Sequence, residues 1–239
     1  MSPESIDSNR PEYLADGSSA CEGYTLVMTS VDGAPNELRF PDEETVPETK
    51  RHLEIRTALY QALQLALGDR AAIGSDQFVY WDPTDPRQCL APDIFVRLGV
   101  ADHPFRSWKV WEHGAPQLAV EVISASDDRD RDWGAKLDRY RRLGVVELVR
   151  FDPENAVQAI RIWDVLDGNL VERAHEQTVR SNVLSAFWVV VSDPMVGPTL
   201  RLSHDPQGQS LFPTRAERAE LRVKELEAEL QRRGGAGRQ

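Results

Sequence analysis

Two cysteines, Cys21 and Cys89, in a chain of 239 residues make neither a disulfide framework nor a metal-ligating pattern. A reduced cytoplasmic protein is the expectation. No uncharged apolar run approaches the roughly 18 residues that a membrane span needs, so no membrane association is expected. The opening residues, MSPESIDSNRPEYLADGSS, have no basic segment followed by an apolar one, which argues against a secretory signal. A phosphate-binding P-loop, a dinucleotide glycine fingerprint and a G-x-S-x-G nucleophile elbow are all missing. His103 and His113 flank a strand-like segment, but no third ligand stands at zinc spacing. Zinc fingers, RNA-binding motifs and an obvious recognition helix are absent too, so nothing supports sequence-specific readout.

What is present suffices for a folded core: 41% of residues are hydrophobic, and 15 glycines add to the apolar share. The net charge of −11 comes from 28 basic and 39 acidic residues. Its distribution matters more than its size. Residues 1–49 hold 11 acids and 2 bases, so most of the negative charge sits there and the rest of the chain is nearly neutral. A neutral body can carry a local basic surface, so net charge neither supports nor excludes a nucleic-acid substrate.

The chain divides into four parts. Residues 1–22 read as a disordered acidic arm. Residues 23–213 form the main domain, 214–233 an amphipathic helix, and 234–239 a flexible tail. In that helix Ala216, Ala219, Val223, Leu226 and Leu230 step by 3, 4, 3 and 4, a heptad seam. The seam predicts a homodimer, or else a helix packed on its own domain.

A first helix is predicted over about 46–67, opened by a capping box at Thr45–Glu48 and closed by Gly68. Strands follow at 73–81, 92–96 and 118–123. The last of these is apolar except for Glu121, which suggests burial on both faces. A second helix is predicted over about 131–143, ending at Gly144. Further strands are predicted at 145–151, 159–166, 169–174 and 184–191. Trp108, Trp111, Trp133, Trp163 and Trp188 are assigned to the core or to an interface.

Glu121 is the most informative residue. Alternation puts it on one strand face with Ala119 and Ile123, while Leu118, Val120 and Val122 share the other. An ionised carboxylate there needs a compensating charge. A buried Arg or Lys would serve, and so would a divalent cation. Asp93 follows Pro92 at the head of a strand, where it is either a turn residue or a second carboxylate at the mouth of the sheet. Two such carboxylates on adjacent strands could hold Mg²⁺. Lys136 lies four residues after Asp132 and four before Tyr140, so the three share a helix face. Asp132 and Lys136 could form an exposed i,i+4 pair; alternatively, Lys136 could orient a metal-bound water and stabilise charge on a phosphate. Bases between Arg129 and Arg142 are interleaved with acids, which fits a solvated helix at least as well as a DNA groove.

The ordered segments APDIFV, WKVWEHGAPQLAVEVISAS and DWGAK, then Tyr140, LGVVELVRFDP, resemble the Uma-two family, whose members look like PD-(D/E)XK nucleases. The resemblance covers roughly residues 45–190. It implies an α/β (α+β) fold, a restriction-endonuclease-like mixed β-sheet flanked by helices, with a C-terminal helical extension. It also implies Mg²⁺-dependent (Mn²⁺ possible) hydrolysis of DNA phosphodiester bonds. Asp93 and Glu121 would then be the metal ligands. Ile123 stands where the superfamily usually has lysine, and the resemblance offers Lys136 as a relocated one. With Asp93 and Glu121, Lys136 completes the expected catalytic set. His52 matches a histidine in the family's first helix and, with Asp132 and Tyr140, is placed at the site edge. Glu48 and Glu54 are further acids of that helix, and Glu54 is read as a solvated flank. The alternative is a catalytically inactive nuclease-fold binding or scaffold protein, which the missing lysine would suit.

Overall fold

A computed structural model of the protein describes residues 49–123 and 133–236. The expected arm 1–22, Glu48 and Asp132 lie outside these residues. Helix α1 spans Lys50–Leu67. Thr49 is extended, and its hydroxyl oxygen accepts the N–H of His52, so the described helix starts at Lys50 rather than at 46. Next come β1 (Ala71–Gly74), β2 (Val79–Tyr80), β3 (Cys89–Leu90), β4 (Ile94–Leu98), β5 (Trp108–Lys109) and a short helix α2 (Val110–His113). Strand β6 (Leu118–Val122), helix α3 (Trp133–Leu143) and strand β7 (Glu147–Phe151) follow. Strands β8 (Ile160–Leu166), β9 (Asn169–Glu176), β10 (Thr178–Arg180), β11 (Phe187–Asp193) and β12 (Gly197–Ser203) precede a final helix α4 (Arg215–Ala236).

Six strands form the main sheet in the order β1-β4-β6-β7-β8-β9. Its pairs are antiparallel except β6 with β7, which run parallel and have α3 between them in the chain. Two three-stranded sheets, β10-β11-β12 and β3-β2-β5, complete the mixed α/β architecture. Alternation along the strands separates two cores. Val96, Val120, Val149 and Ile162 pack with Ile55 and Leu59 of α1 and with Trp188 and Leu200 of β11 and β12. Phe95, Ala119, Leu148 and Trp163 pack on the opposite face with Tyr140 and Leu143 of α3 and with Val79 and Leu90. Glu121 alternates onto this second face, beneath α3.

Several elements depart from the sequence expectation. The strand expected over 73–81 is two strands in different sheets. Asp76 adopts a positive φ of 64° and pairs with Arg56 at 2.6 Å, which turns the chain between β1 and β2. In α4, the Glu217 carboxylate binds Arg201 at 2.7 Å and Arg215 reaches Gln64 at 2.8 Å, so the first turn is anchored to the body. Beyond it Val223, Leu226 and Leu230 are exposed, so the seam is not packed on its own domain. No helix among the described residues is long and apolar enough to cross a membrane.

Leu59 is fully buried in the first core and Leu230 is 69% exposed. Leu59→Ala is expected to lower stability by about 3 kcal/mol. Leu230→Ala is expected to change the monomer's stability by less than about 0.5 kcal/mol. Urea unfolding at low protein concentration measures both, and equal losses would contradict this division between core and surface.

Candidate active site

Strand register starts the assembly. Ile94 pairs with Val120 and Phe95 with Ala119, so the same antiparallel register carried one residue further sets Asp93 across from Glu121. Asp93 sits in the bend before β4, held from both sides. Its Oδ2 accepts the Val122 N–H at 2.6 Å, and its carbonyl accepts the Ser75 hydroxyl at 2.8 Å. The Pro92 carbonyl accepts the Asp76 N–H at 3.0 Å, so the β1–β2 turn braces the same bend.

Glu121 is 5% exposed. Helix α3 delivers its two partners. The Tyr140 hydroxyl donates to Glu121 Oε1, and Lys136 Nζ lies 2.9 Å from Oε2. Spacing of i,i+4 brings both side chains to the same carboxylate. Lys136 supplies the cationic partner for Glu121 that the sequence called for. Burial pushes the Glu121 carboxyl above its usual range; Lys136 pulls it down, Asp93 pushes it up, and Tyr140 pulls it down. Burial also pushes the Tyr140 hydroxyl up, and the Glu121 charge adds to that.

His52 reaches the same strand end from α1. Its Nε2 lies 3.1 Å from Asp93 Oδ1 and 2.9 Å from the Val122 carbonyl oxygen. A carbonyl oxygen only accepts, so Nε2 carries the proton. One N–H therefore faces both oxygens, and the two oxygens converge on one point. Hard oxygens from Asp93, Glu121 and the Val122 carbonyl suit a small divalent cation. Among the described residues no group of three or more His, Cys, Asp or Glu side chains could hold a metal ion. A cation here would draw on the two carboxylates and the backbone carbonyl.

The structure thus brings together His52, Asp93, Glu121, Lys136 and Tyr140. Glu54 stays apart, paired with Lys50 at 3.6 Å on the helix surface. His103 and His113 belong to an aromatic group around Trp108. The sequence reading missed Arg150. It is the register partner of Glu121 on β7 and is 5% exposed. The signal was a charge between apolar neighbours, Val149 and Phe151, much as Glu121 stands between Val120 and Val122.

A six-stranded mixed sheet with flanking helices makes this a mixed α/β protein, and two acids meet at adjoining strand ends. A family model described as "Uma2: Putative restriction endonuclease" matches residues 36–192, more than half of the chain. The chain belongs to the Uma2 family. No curated protein matches it. Among solved structures, it is similar to the crystal structure of "a putative nuclease belonging to DUF820 from Anabaena variabilis ATCC 29413". That match has 13% identity and a TM-score of 0.44, and covers 60% of this chain and 78% of the other.

The folded Glu121 carboxyl ionises above its unfolded value, so its ionisation opposes folding once the pH exceeds that value. Glu121→Gln is expected to melt about 3 °C above the wild type at pH 8. The gain is expected to vanish near pH 3, where both states of the wild-type carboxyl are protonated. Calorimetry at the two pH values checks this, and identical melting at pH 8 would contradict it.

Proposed function

We propose that the protein is a divalent-metal-dependent nuclease that hydrolyses DNA phosphodiester bonds. The observation that carries this reading is the convergence of Asp93, Glu121 and Lys136 at one end of β6. Asp93 and Glu121 would hold the cation, with the Val122 carbonyl as a third oxygen. Mg²⁺ suits these ligands, and Mn²⁺ is an acceptable substitute. A bound cation lowers the pKa of a coordinated water and offsets phosphate charge.

The side chains supply the rest. Lys136, anchored through Glu121, presents an ammonium to the attacking water and to the charge that grows on the phosphate oxygens. Tyr140 fixes the rotamer of Glu121 by donating to Oε1. His52 does the same for Asp93 through Oδ1. Hydrolysis breaks one P–O ester bond; the attacking water gives up a proton and the leaving alkoxide takes one.

Ile123 favours a second reading. It is buried and brings only hydrocarbon to the position where the resembled superfamily has lysine. Without a working Lys136 the chain would be a binding or scaffold protein of nuclease fold. Cleavage of supercoiled plasmid with Mg²⁺ or Mn²⁺ separates the two. Wild type is expected to nick, Asp93→Ala and Glu121→Ala to lose detectable activity, and Lys136→Ala to lose about 10²–10³-fold in rate. A wild type inert on DNA, with no metal-binding heat, would establish the scaffold reading instead.

The exposed seam of α4 supports a homodimer through this helix. A chain ending at residue 213 is expected to sediment as a monomer where the full chain sediments as a dimer. A dimer that survives the truncation would place the contact elsewhere.

A further inference from the structure

The row that begins at Glu121 continues across the sheet. Glu121 pairs with Arg150 on β7, and Arg150 pairs with Arg161 on β8. Register partners share a face, so the three side chains stand side by side at the strand spacing of about 4.8 Å. Two tryptophans hold the guanidinium groups. Arg150 Cζ lies 5.0 Å from the Trp133 ring centre, and Arg161 Cζ lies 4.9 Å from that of Trp163. The two rings are themselves 5.3 Å apart. Glu172 grips Arg161 with two hydrogen bonds, of 3.0 and 2.7 Å, which fixes the plane of its fork. Both arginines line one cleft of about 460 Å³, with Asn155 and Gln158 on its wall. Asp152 and Glu154 also line the cleft, and the Glu154 carboxylate is paired with Arg51.

We propose that this cleft seats the nucleotide flanking the bond to be cut, with its phosphate on Arg150 and Arg161. The inference rests on the nuclease reading and specifies how the strand lies on that site. Two guanidinium groups oriented by aromatic rings suit a phosphate, and the amides suit a base edge. Their position one and two strands from Glu121 places the neighbouring phosphate beside the scissile one. The tryptophans, packed against the arginines, serve as backing for the guanidinium planes.

The test measures binding apart from cutting. A labelled 20-nucleotide single-stranded DNA is titrated in EDTA across a salt series. Arg161→Ala is expected to weaken binding about tenfold and to flatten the dependence of log K on log salt by about 0.7. Arg150 is buried, so Arg150→Lys replaces an alanine variant that could fail to fold; it is expected to weaken binding severalfold with unchanged circular dichroism. Arg218→Ala, on the surface of α4, is the control and is expected to bind as wild type does. In plasmid cleavage Arg161→Ala is expected to raise KM more than it lowers kcat. Arg161 and Arg150 variants that bind like the control, with the same salt slope, would overturn the cleft while leaving the nuclease reading intact. Binding lost in both variants of a protein that never cuts would support the cleft and refute the nuclease reading.

Discussion

Removing a carboxylate from water costs several kcal/mol unless other groups replace its hydration, and the site of this protein is organised around that cost. Glu121 lies in a strand whose five residues are all buried, in the interior of the six-stranded sheet. Its hydration is replaced by the Tyr140 hydroxyl and the Lys136 ammonium. Both come from α3, the helix that connects the parallel pair β6 and β7. The crossover therefore solves a topological problem and an electrostatic one together. It returns the chain to the sheet in the same direction, and it lays an amphipathic helix over the buried acid.

A lysine on the helix has a different reach from one on the strand. A lysine at position 123 would extend from the same backbone as Glu121 and move only with the sheet. Lys136 rises from α3 on a four-carbon stem and keeps about a third of its side chain in contact with solvent. Its head group holds Glu121 and can turn away from it without disturbing the core. Tyr140 shows no such freedom, being fully buried against the same carboxylate. One helix turn thus combines a fixed donor, which sets the carboxylate rotamer, with an adjustable one.

The site was legible wherever a charge interrupted an apolar pattern. Glu121 stands alone in LAVEV, and Asp93 stands at the head of IFV; alternation and adjacency then set them on one sheet face. Lys136 and Tyr140 followed from helical spacing. Arg150, in ELVRF, carries a weaker form of this signal, because Glu147 in the same strand breaks the apolar background against which it would stand out. The break between β1 and β2 was illegible for a different reason. Its turn depends on an aspartate held at positive φ by Arg56, twenty residues earlier in the chain. Local alternation cannot report such a tertiary ion pair. The β2–β5 pairing joins two-residue strands across nearly thirty positions and offers too little periodicity to read. Trp133 was assigned to packing, which describes its ring but not its part in orienting Arg150.

The row Glu121, Arg150, Arg161 shows how a sheet can carry a charge pattern that the linear sequence conceals. Each strand contributes one residue to the row on this face, so the pattern exists only if two registers agree. A slip of one residue in β7 would replace Arg150 with Val149 or Phe151 and send the guanidinium into the apolar core beneath α1. That core, where Val149 and Phe151 meet Ile55 and Leu59, therefore fixes the charge order on the opposite face. The acids that could hold a cation and the bases that could receive a phosphate are ordered by hydrophobic packing they never touch. The same packing sets Glu121 under Lys136, so the depth of the first core and the geometry of the site are one constraint.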